Sequence, residues 1–244
     1  MDVIIKRGSD WQPERPRLLA KLREFSALLK KRPFDNDQGL RGVSAFALYW
    51  FLQEVQPTHV FEVGVWKGFS TWLIRRALPD AKIFSFDPLV LLEVLLDPAK
   101  VGPTYRDPAV TYSYQDFSCA DLSSVIAESS CPLAFFDDHQ NKLPRLMQSK
   151  NLGIKHIIFD DNDSNCPTHR TLEDELLEPE SASRLAQLVE RYEVFPALWD
   201  VDALLMNGEV RINERGLGFP ITPDVMEVYN DREWHSYVTY VRLR

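Results

Sequence analysis

The chain has 244 residues, 45% hydrophobic and 26% charged, so it is long enough to bury a core and is not a disordered or low-complexity chain. Its formal net charge of −8 argues against a general nucleic-acid binder, and no apolar run approaches the roughly 20 residues that cross a bilayer. Three cysteines without a C-x-x-C motif and a start without an evident signal peptide favour a reducing, cytoplasmic setting and no membrane partner.

The first 56 residues are predicted to form a helical extension, and residues 57–244 are predicted to form one domain. Leucines and a phenylalanine recur at helical spacing over 18–29, which predicts an amphipathic helix. A second helix is predicted over Ser44–Val55. We expect this extension to cap a substrate site or to contact a second copy of the chain in a homo-oligomer.

From residue 59 the chain alternates short apolar strands with helical stretches, which is typical of a parallel sheet buried on both faces. The strands are predicted at His59–Val63, Lys82–Phe86, Val110–Tyr114, Leu133–Phe136 and His156–Phe159. An acidic residue lies at or just beyond the end of each one. Because ligands bind at the carboxyl ends of parallel strands, these acids predict a binding edge.

The last third of the chain is predicted to add helices and an antiparallel hairpin. A polar helical region is expected over 173–180, another helix over Ser183–Tyr192, and a hairpin from Val225–Tyr229 and Trp234–Leu243. The predicted fold class is α/β: a Rossmann-like, doubly wound, mostly parallel seven-stranded sheet with a C-terminal antiparallel hairpin and an N-terminal helical extension.

The most informative motif follows the first strand of the domain. The strand carries Glu62, a G-x-x-x-G turn follows at Gly64 and Gly68, and a helix is predicted from about Ser70. Glycine lets a backbone approach a ligand closely, and a helix start offers unpaired N–H groups. Bulky residues inside the turn leave no room for a pyrophosphate, so the loop is predicted to bind a nucleoside without a diphosphate.

Asp87 ends the next strand, 19 residues beyond Gly68, and Asp116 follows the third strand. Over about 58–163, this ordered series resembles class I S-adenosylmethionine-dependent methyltransferases. The resemblance implies that Asp87 binds the ribose hydroxyls of S-adenosyl-L-methionine and that the stretch around Asp116 contacts its adenine. The cofactor-binding residues implied are Glu62, Gly64, Gly68, Ser70, Asp87 and Asp116.

Two acidic clusters follow the fourth and fifth strands, and both would lie on the same edge of the sheet. Carboxylates held close together repel one another unless a cation neutralises them. A hard divalent ion with oxygen ligands, such as Mg²⁺, would satisfy such a cluster. The candidate metal ligands are Asp137, Asp138, Asp160, Asp161 and Asn162.

The acidic clusters resemble those of two groups of metal-dependent O-methyltransferases. In the catechol and caffeoyl-CoA type, the Asp-Asn pair corresponds to Asp161-Asn162, and Asp138 begins the metal loop. In the sugar O-methyltransferases and cephalosporin-hydroxylase-like proteins, Asp160-Asp161 would be the ligands and His139 the catalytic base. Both alignments remain open from the sequence.

The sequence therefore predicts an S-adenosylmethionine-dependent, Mg²⁺-dependent O-methyltransferase. Its acceptor is expected to be a hydroxyl of a small molecule such as a sugar, a phenol or a natural product. A metal-independent methyltransferase and a cephalosporin-hydroxylase-like enzyme are the enzymatic alternatives. A non-catalytic binding module with the methyltransferase fold is the alternative of another class.

Overall fold

A computed structural model gives the fold of the chain. It describes residues 3–36, 39–88, 105–163, 167–206, 209–214, 216–231 and 238–244, with only the backbone for 201–214. The apolar run Leu89–Leu96, the third cysteine Cys166 and the start of the predicted last strand at Trp234 lie outside the described residues.

Ten strands are found in the described part of the chain. They are β1 Ile4–Lys6, β2 His59–Val63, β3 Lys82–Phe86, β4 Val110–Ser113, β5 Pro132–Phe136, β6 His156–Phe159, β7 Val189–Val194, β8 Val201–Met206, β9 Glu209–Glu214 and β10 Thr239–Leu243. Eight of them form one sheet in the order β1-β7-β10-β6-β5-β2-β3-β4, and β8 and β9 form a separate antiparallel pair.

The helices lie before, between and after the strands. They are α1 Arg15–Leu29, α2 Gly42–Val55, α3 Phe69–Ala77, α4 Ser123–Ala127, α5 Lys142–Asn151, α6 Leu172–Leu176, α7 Pro179–Leu188 and α8 Met226–Tyr229, with 3₁₀ turns at Gly8–Glu14 and Phe117–Cys119. Within the described residues, no helix is both long and apolar enough to cross a membrane.

The main sheet is Rossmann-like and doubly wound. The chain runs from the central strand β2 outwards through β3 to β4, then returns to the other side of β2 to form β5 and β6. These five strands are parallel. In the central strands β2 and β5, neighbouring residues such as Val60 and Phe61 face different hydrophobic clusters on the two faces of the sheet. The reversal between β2 and β5 opens a cleft at their carboxyl ends.

The five strands predicted between residues 59 and 159 are confirmed. Three other predictions need correction. The sheet has eight strands rather than seven, because β1 also joins it beside β7. Residues 189–192, predicted as the end of a helix, begin strand β7. Residues 226–229 form the helix α8 instead of a hairpin arm.

The C-terminal strand is antiparallel, as predicted, but it is not half of a hairpin. Strand β10 inserts between β6 and β7 and pairs antiparallel with both. The alternation of apolar residues in the tail indicated a strand correctly, but it carries no information about a strand's partner. The partner depends on which neighbouring edges the rest of the fold leaves open.

The N-terminal segment packs into the core shared with the sheet. Helix α2 is buried from Gly42 to Leu52, and Trp11, Leu18 and Phe25 belong to the same hydrophobic cluster as residues of β2. The segment is not purely helical, since it also supplies β1. Its expected role as a cap or an oligomer contact stays a prediction.

Candidate functional site

The strand ends form one level row across the parallel part of the sheet. Val63 pairs with Phe86 on one side and with Phe136 on the other, and Phe136 pairs with Phe159. The residue after each strand end therefore lies at the same height, and these residues are Gly64, Asp87, Asp137 and Asp160. Backbone hydrogen bonds continue one step into this row, for example from Asp160 N to Phe136 O at 2.9 Å.

A cleft of about 580 Å³ lies above this row. Its walls come from the segments after β2, β3, β4, β5 and β6, and from Gly39 and Leu40 before α2. The predicted site residues that line it are Gly64, Ser70, Asp87, Asp116, Asp137, Asp138, His139, Asp160 and Asp161. Of the other predicted residues, Glu62, Gly68 and Asn162 are not part of its lining.

Asp87 holds the glycine loop in place from the neighbouring strand. Its Oδ2 accepts hydrogen bonds from the backbone N–H groups of Val65, at 2.9 Å, and Trp66, at 3.0 Å. Gly68 ends the loop with a left-handed φ of 82° and is the N-cap of α3. The loop after β2 is therefore fixed by its neighbour before any ligand enters the cleft.

Gly64 is required by the neighbouring backbone. Its φ is +96°, and a Cβ placed there would lie 2.2 Å from the carbonyl oxygen of Asp137. That approach is far closer than van der Waals contact, and the left-handed φ disfavours a side chain independently. The sequence explained this glycine by the approach of a ligand, whereas the structure explains it by the contact between the segments after β2 and β5.

Glu62 lies beneath the loop and is fully buried. Its Oε2 accepts a hydrogen bond from Thr71 Oγ1 at 2.7 Å and another from Ser85 Oγ. Burial raises the pKa of this carboxyl, although hydrogen bonds from Ser70, Ser85 and Thr71 oppose the shift. Glu62 therefore links β2, β3 and α3 from inside the fold, away from the cleft surface.

Arg145 on α5 binds two of the predicted site carboxylates at once. It donates to both oxygens of Asp116, at 3.0 and 2.7 Å, and its Nε donates to Asp138 Oδ2 at 2.8 Å. The arginine holds the pKa of Asp116 well below its ordinary value, helped by hydrogen bonds from Ser118. Asp116 and Asp138 thus share one buried cation as their ion-pair partner.

Asp137, Asp160 and Asp161 have no arginine partner among the described residues. Burial and the neighbouring carboxylates raise the pKa of Asp137 well above its ordinary value, and they raise that of Asp160 to about 7. Lys142 opposes these shifts through its charge. Its side chain is fully buried, and its Nζ has no hydrogen-bond partner among the described residues.

His139 faces the third of these acids. Its Nδ1 lies 2.9 Å from Asp161 Oδ2, and this hydrogen bond raises the pKa of His139 and lowers that of Asp161. The ring stacks on His169, with centroids 6.1 Å apart. Among the described residues, Asp137, His139 and Asp161 form a group whose potential ligand atoms all lie within 4.8 Å of one another.

Asn162 is used inside the protein. It is buried, and its Nδ2 donates to Tyr192 Oη at 2.8 Å and to Thr239 Oγ1 at 3.0 Å. Its Oδ1 accepts the backbone N–H of Leu172 at 2.7 Å. The side chain connects the end of β6 to β7, β10 and α6, and the choice between the Asp160-Asp161 and Asp161-Asn162 alignments stays a prediction.

Three residues that line the cleft have left-handed backbone conformations without being glycine. They are Trp66 (φ 46°), His139 (φ 51°) and Asp161 (φ 50°). The fourth such residue in the described chain is Gln56, which ends α2. Non-glycine residues rarely adopt this conformation, and such strain concentrates at functional sites.

Sequence reasoning missed Arg145 and did not find a role for Lys142. Both lie on the buried side of α5, where Lys142, Arg145, Leu146 and Ser149 repeat at helical spacing. A lysine and an arginine on the same stripe as a buried leucine were the available signal, because charged residues are almost never buried unless paired. The clusters of aspartates nearby could have suggested the partners.

No protein-family model matches the chain, and no curated protein matches it. Among solved structures, the chain is similar to CmcI with Mg and SAM (16% identity, TM-score 0.41, covering 66% of this chain and 73% of that one). It is also similar to an O-methyltransferase from Bacillus cereus in complex with SAH (14%, 0.42, 93% and 90%). A third is the O-methyltransferase TomG from Streptomyces achromogenes, involved in tomaymycin synthesis, in complex with SAM (12%, 0.45, 93% and 88%). At TM-scores below 0.5, these similarities are too low to assign an activity to this chain.

Proposed function

We propose that the chain is an S-adenosylmethionine-dependent methyltransferase that acts on a hydroxyl of a small molecule with the help of a divalent cation. The observation that carries the proposal is one cleft with two chemically different halves. One half is a glycine loop locked by Asp87, and the other is an acidic cluster beside His139. Strained backbone on both sides, at Trp66, His139 and Asp161, supports a binding role for the whole cleft.

The cofactor half fits a nucleoside that carries no diphosphate. Trp66 and Lys67 occupy the turn where a pyrophosphate would need small residues. Asp87, at the end of β3, is in a position to accept hydrogen bonds from ribose hydroxyls, while Asp116 lines the next part of the cleft. S-Adenosyl-L-methionine has this chemistry, and when bound it supplies an electrophilic methyl group.

The acid half fits one hard divalent cation. Asp137, Asp160 and Asp161 offer carboxylate oxygens, the ligands that Mg²⁺ prefers. Lys142 compensates one of their three charges, which leaves a charge that a divalent ion balances. The raised pKa values of Asp137 and Asp160 express the cost of leaving these acids without a cation. When bound, the metal would supply positive charge close to the acceptor hydroxyl.

His139 is proposed as the general base. Its Nε2 is the ring nitrogen left to accept a proton when Nδ1 faces Asp161. Asp161 orients the ring and stabilises its protonated form, as the raised pKa of His139 expresses. The rigid loop after β2 would hold the methyl donor while the acid half holds the acceptor, so positioning supplies much of the catalysis.

Titration of the purified protein with S-adenosylhomocysteine by calorimetry tests the proposal. We expect one site per chain, because one glycine loop and one Asp87 form the cofactor half. A folded sample that binds no S-adenosylhomocysteine would rule the proposal out. The Asp87→Ala variant serves as the control that ties any heat to this cleft.

Product mass separates the enzymatic alternatives on a panel of sugars, phenols and hydroxylated natural products. A gain of one methyl group supports methyl transfer, and a gain of one oxygen supports a hydroxylase-like reaction. Activity that EDTA removes and Mg²⁺ restores supports the metal, whereas activity unaffected by EDTA supports a metal-independent transferase. Cofactor binding without turnover on any acceptor supports a binding module.

A further inference from the structure

Arg145 is a buried residue whose guanidinium makes four hydrogen bonds to other side chains. Its side chain is 6% exposed. Nε and Nη2 both contact Asp138 Oδ2, at 2.8 and 2.7 Å, and Nη1 and Nη2 bind the two oxygens of Asp116. Nη1 also donates to Gln148 Oε1 at 2.9 Å. These contacts engage all three guanidinium nitrogens of Arg145 with side chains of the protein.

The two carboxylates held by Arg145 come from different halves of the cleft. Asp116 follows β4 on the cofactor side, and Asp138 follows β5, next to the acidic cluster. The Asp138 side chain is only 10% exposed, and its Oδ2 accepts both contacts from the arginine. Its immediate neighbours Asp137 and His139 have no such partner among the described residues. Asp137 and Asp138 are adjacent in the sequence, but only Asp138 is paired with an arginine in the fold.

The charge of the acidic cluster depends on this division. With Asp138 paired to Arg145, three carboxylates remain, and Lys142 together with one divalent ion would balance their charge. Without Arg145, a fourth carboxylate would join the cluster, and the site would become more negative. Since a cation and a carboxylate a few ångströms apart attract each other strongly at a partly buried site, this change would alter the measured affinity for a cation.

We propose that Arg145 is a positioning residue that decides which acids of the cleft bind a cation. By pairing with Asp138, it keeps that carboxylate from the cation and leaves Asp137, Asp160 and Asp161 as the ligands. The inference rests on the proposed function, because it concerns the metal of the same cleft. It differs from the sequence-based expectation, in which Asp138 was itself a ligand. Through Asp116, the same arginine also joins the cofactor half to the acid half.

The test is the affinity for Mn²⁺, measured by calorimetry on the full chain for wild type, Asp138→Asn, Arg145→Gln and the double variant. We expect Asp138→Asn to change the affinity less than about twofold, because a withdrawn carboxylate contributes little. Arg145→Gln should tighten binding by roughly tenfold, which corresponds to about 1.4 kcal/mol. The double variant should return to the wild-type value, because Asp138 is the acid that Arg145 releases.

If Arg145 only stabilised the fold, Arg145→Gln would weaken Mn²⁺ binding, because damage to the fold would disturb the cleft. Weaker Mn²⁺ binding in Arg145→Gln, or a tenfold loss in Asp138→Asn, would overturn the proposal, as would a failure of both wild type and Arg145→Gln to bind Mn²⁺. If Arg145→Gln does not fold, Arg145→Lys replaces it. A lysine keeps the charge but cannot bind both carboxylates as the planar guanidinium does, so Mn²⁺ binding should still tighten, by a smaller factor. If neither Arg145 variant folds, the Mn²⁺ affinity of the isosteric Asp138→Asn variant alone decides whether Asp138 is a ligand.

S-Adenosylhomocysteine is titrated into the same four proteins in the absence of metal. Wild-type binding of this ligand upholds the cofactor part of the proposed function whether or not the Arg145 proposal survives. Its absence in folded wild type counts against the proposed function, while the Mn²⁺ comparison still judges the division of acids. The two failures are therefore distinguishable.

Discussion

The two halves of the cleft treat their carboxylates in opposite ways. In the cofactor half, Asp87 accepts backbone N–H groups and Asp116 accepts a bidentate arginine, so each acid is compensated by the protein. In the acid half, burial and neighbouring carboxylates raise the pKa values of Asp137 and Asp160, and the Nζ of the nearby Lys142 has no hydrogen-bond partner among the described residues.

The different treatment of the carboxylates suggests a different binding role for each half of the cleft. Acids that already have partners within the protein hold neighbouring loops in place, which suits recognition of a nucleoside by a rigid wall. Uncompensated acids favour any partner that brings positive charge, which suits a cation. Gly64 joins the two halves, because the loop after β2 contacts the backbone of Asp137 at this residue.

The largest effect is expected where the halves meet. Gly64→Ala should lower the free energy of unfolding by about 3 kcal/mol or more, because the new Cβ meets the Asp137 carbonyl and the backbone is left-handed. Gly153→Ala is the matched control, since Gly153 is also left-handed but nothing lies within 4 Å of its Cβ position. It should cost about 1 kcal/mol. Urea denaturation measures both, and equal losses would contradict the role given to the contact.

Within the acid half, adjacent residues should behave differently. Asp161→Ala should weaken Mn²⁺ binding roughly a hundredfold if Asp161 is a ligand, a typical upper value for damage to a metal site. Asn162→Ala should leave Mn²⁺ affinity within about threefold and instead lower stability by about 1–3 kcal/mol, because buried hydrogen-bond partners lose their donor and acceptor. A large loss of Mn²⁺ affinity in Asn162→Ala would support the Asp161-Asn162 alignment.

In the cofactor half, Asp87→Ala should weaken S-adenosylhomocysteine binding by roughly thirtyfold, because it removes the charged acceptor of two backbone N–H groups in the loop. Metal affinity should remain close to wild type, which would show that the halves are separable in this direction. Asp80→Ala, an exposed aspartate before β3, serves as the control. Calorimetry with each ligand alone provides the comparison, and an equal loss of both affinities would contradict it.

The smallest effect is a pH dependence beneath the loop. Burial raises the pKa of Glu62, so the folded chain holds its proton more tightly than the unfolded chain. Between the ordinary pKa of 4.5 and the raised one, the free energy of unfolding contributed by Glu62 therefore falls as the pH rises. Glu62→Gln should remove this contribution. Denaturation of both proteins at a series of pH values should show a difference that grows towards neutral pH, and a constant difference would contradict the shift.

Much of the fold could be predicted because its signals are local. Short runs of mainly apolar and aromatic residues predicted β2 to β6 correctly, because a parallel strand covered on both faces buries most of its side chains. Strand β7 was missed because Val189–Val194 follows a helix directly and has no strict alternation, with Glu190 and Arg191 adjacent, so the helix was predicted to continue to Tyr192. The partners of β1 and β10 depend on contacts between distant parts of the chain.

The site was predictable to the level of which residues share an edge. Asp87, Asp137 and Asp160 follow strand ends, and the pairing of the strands places them in one row. Their chemical states were not predictable, because a carboxylate's pKa and availability depend on what surrounds it. In the sequence, Asp138 and Asn162 were candidate metal ligands on the same grounds as Asp161. In the fold, Asp138 binds Arg145 and Asn162 binds Tyr192.

The sequence by itself therefore determined that acids from several strand ends meet beside a glycine turn, because strand periodicity and turn chemistry are written in neighbouring residues. Only the tertiary structure decided which of these side chains bind partners within the protein, since those partners come from elsewhere in the chain. Arg145 of α5 pairs with Asp116 and Asp138, and Tyr192 of β7 and Thr239 of β10 accept hydrogen bonds from Asn162. Electrostatic interactions depend on distance in space, and folding alone sets those distances.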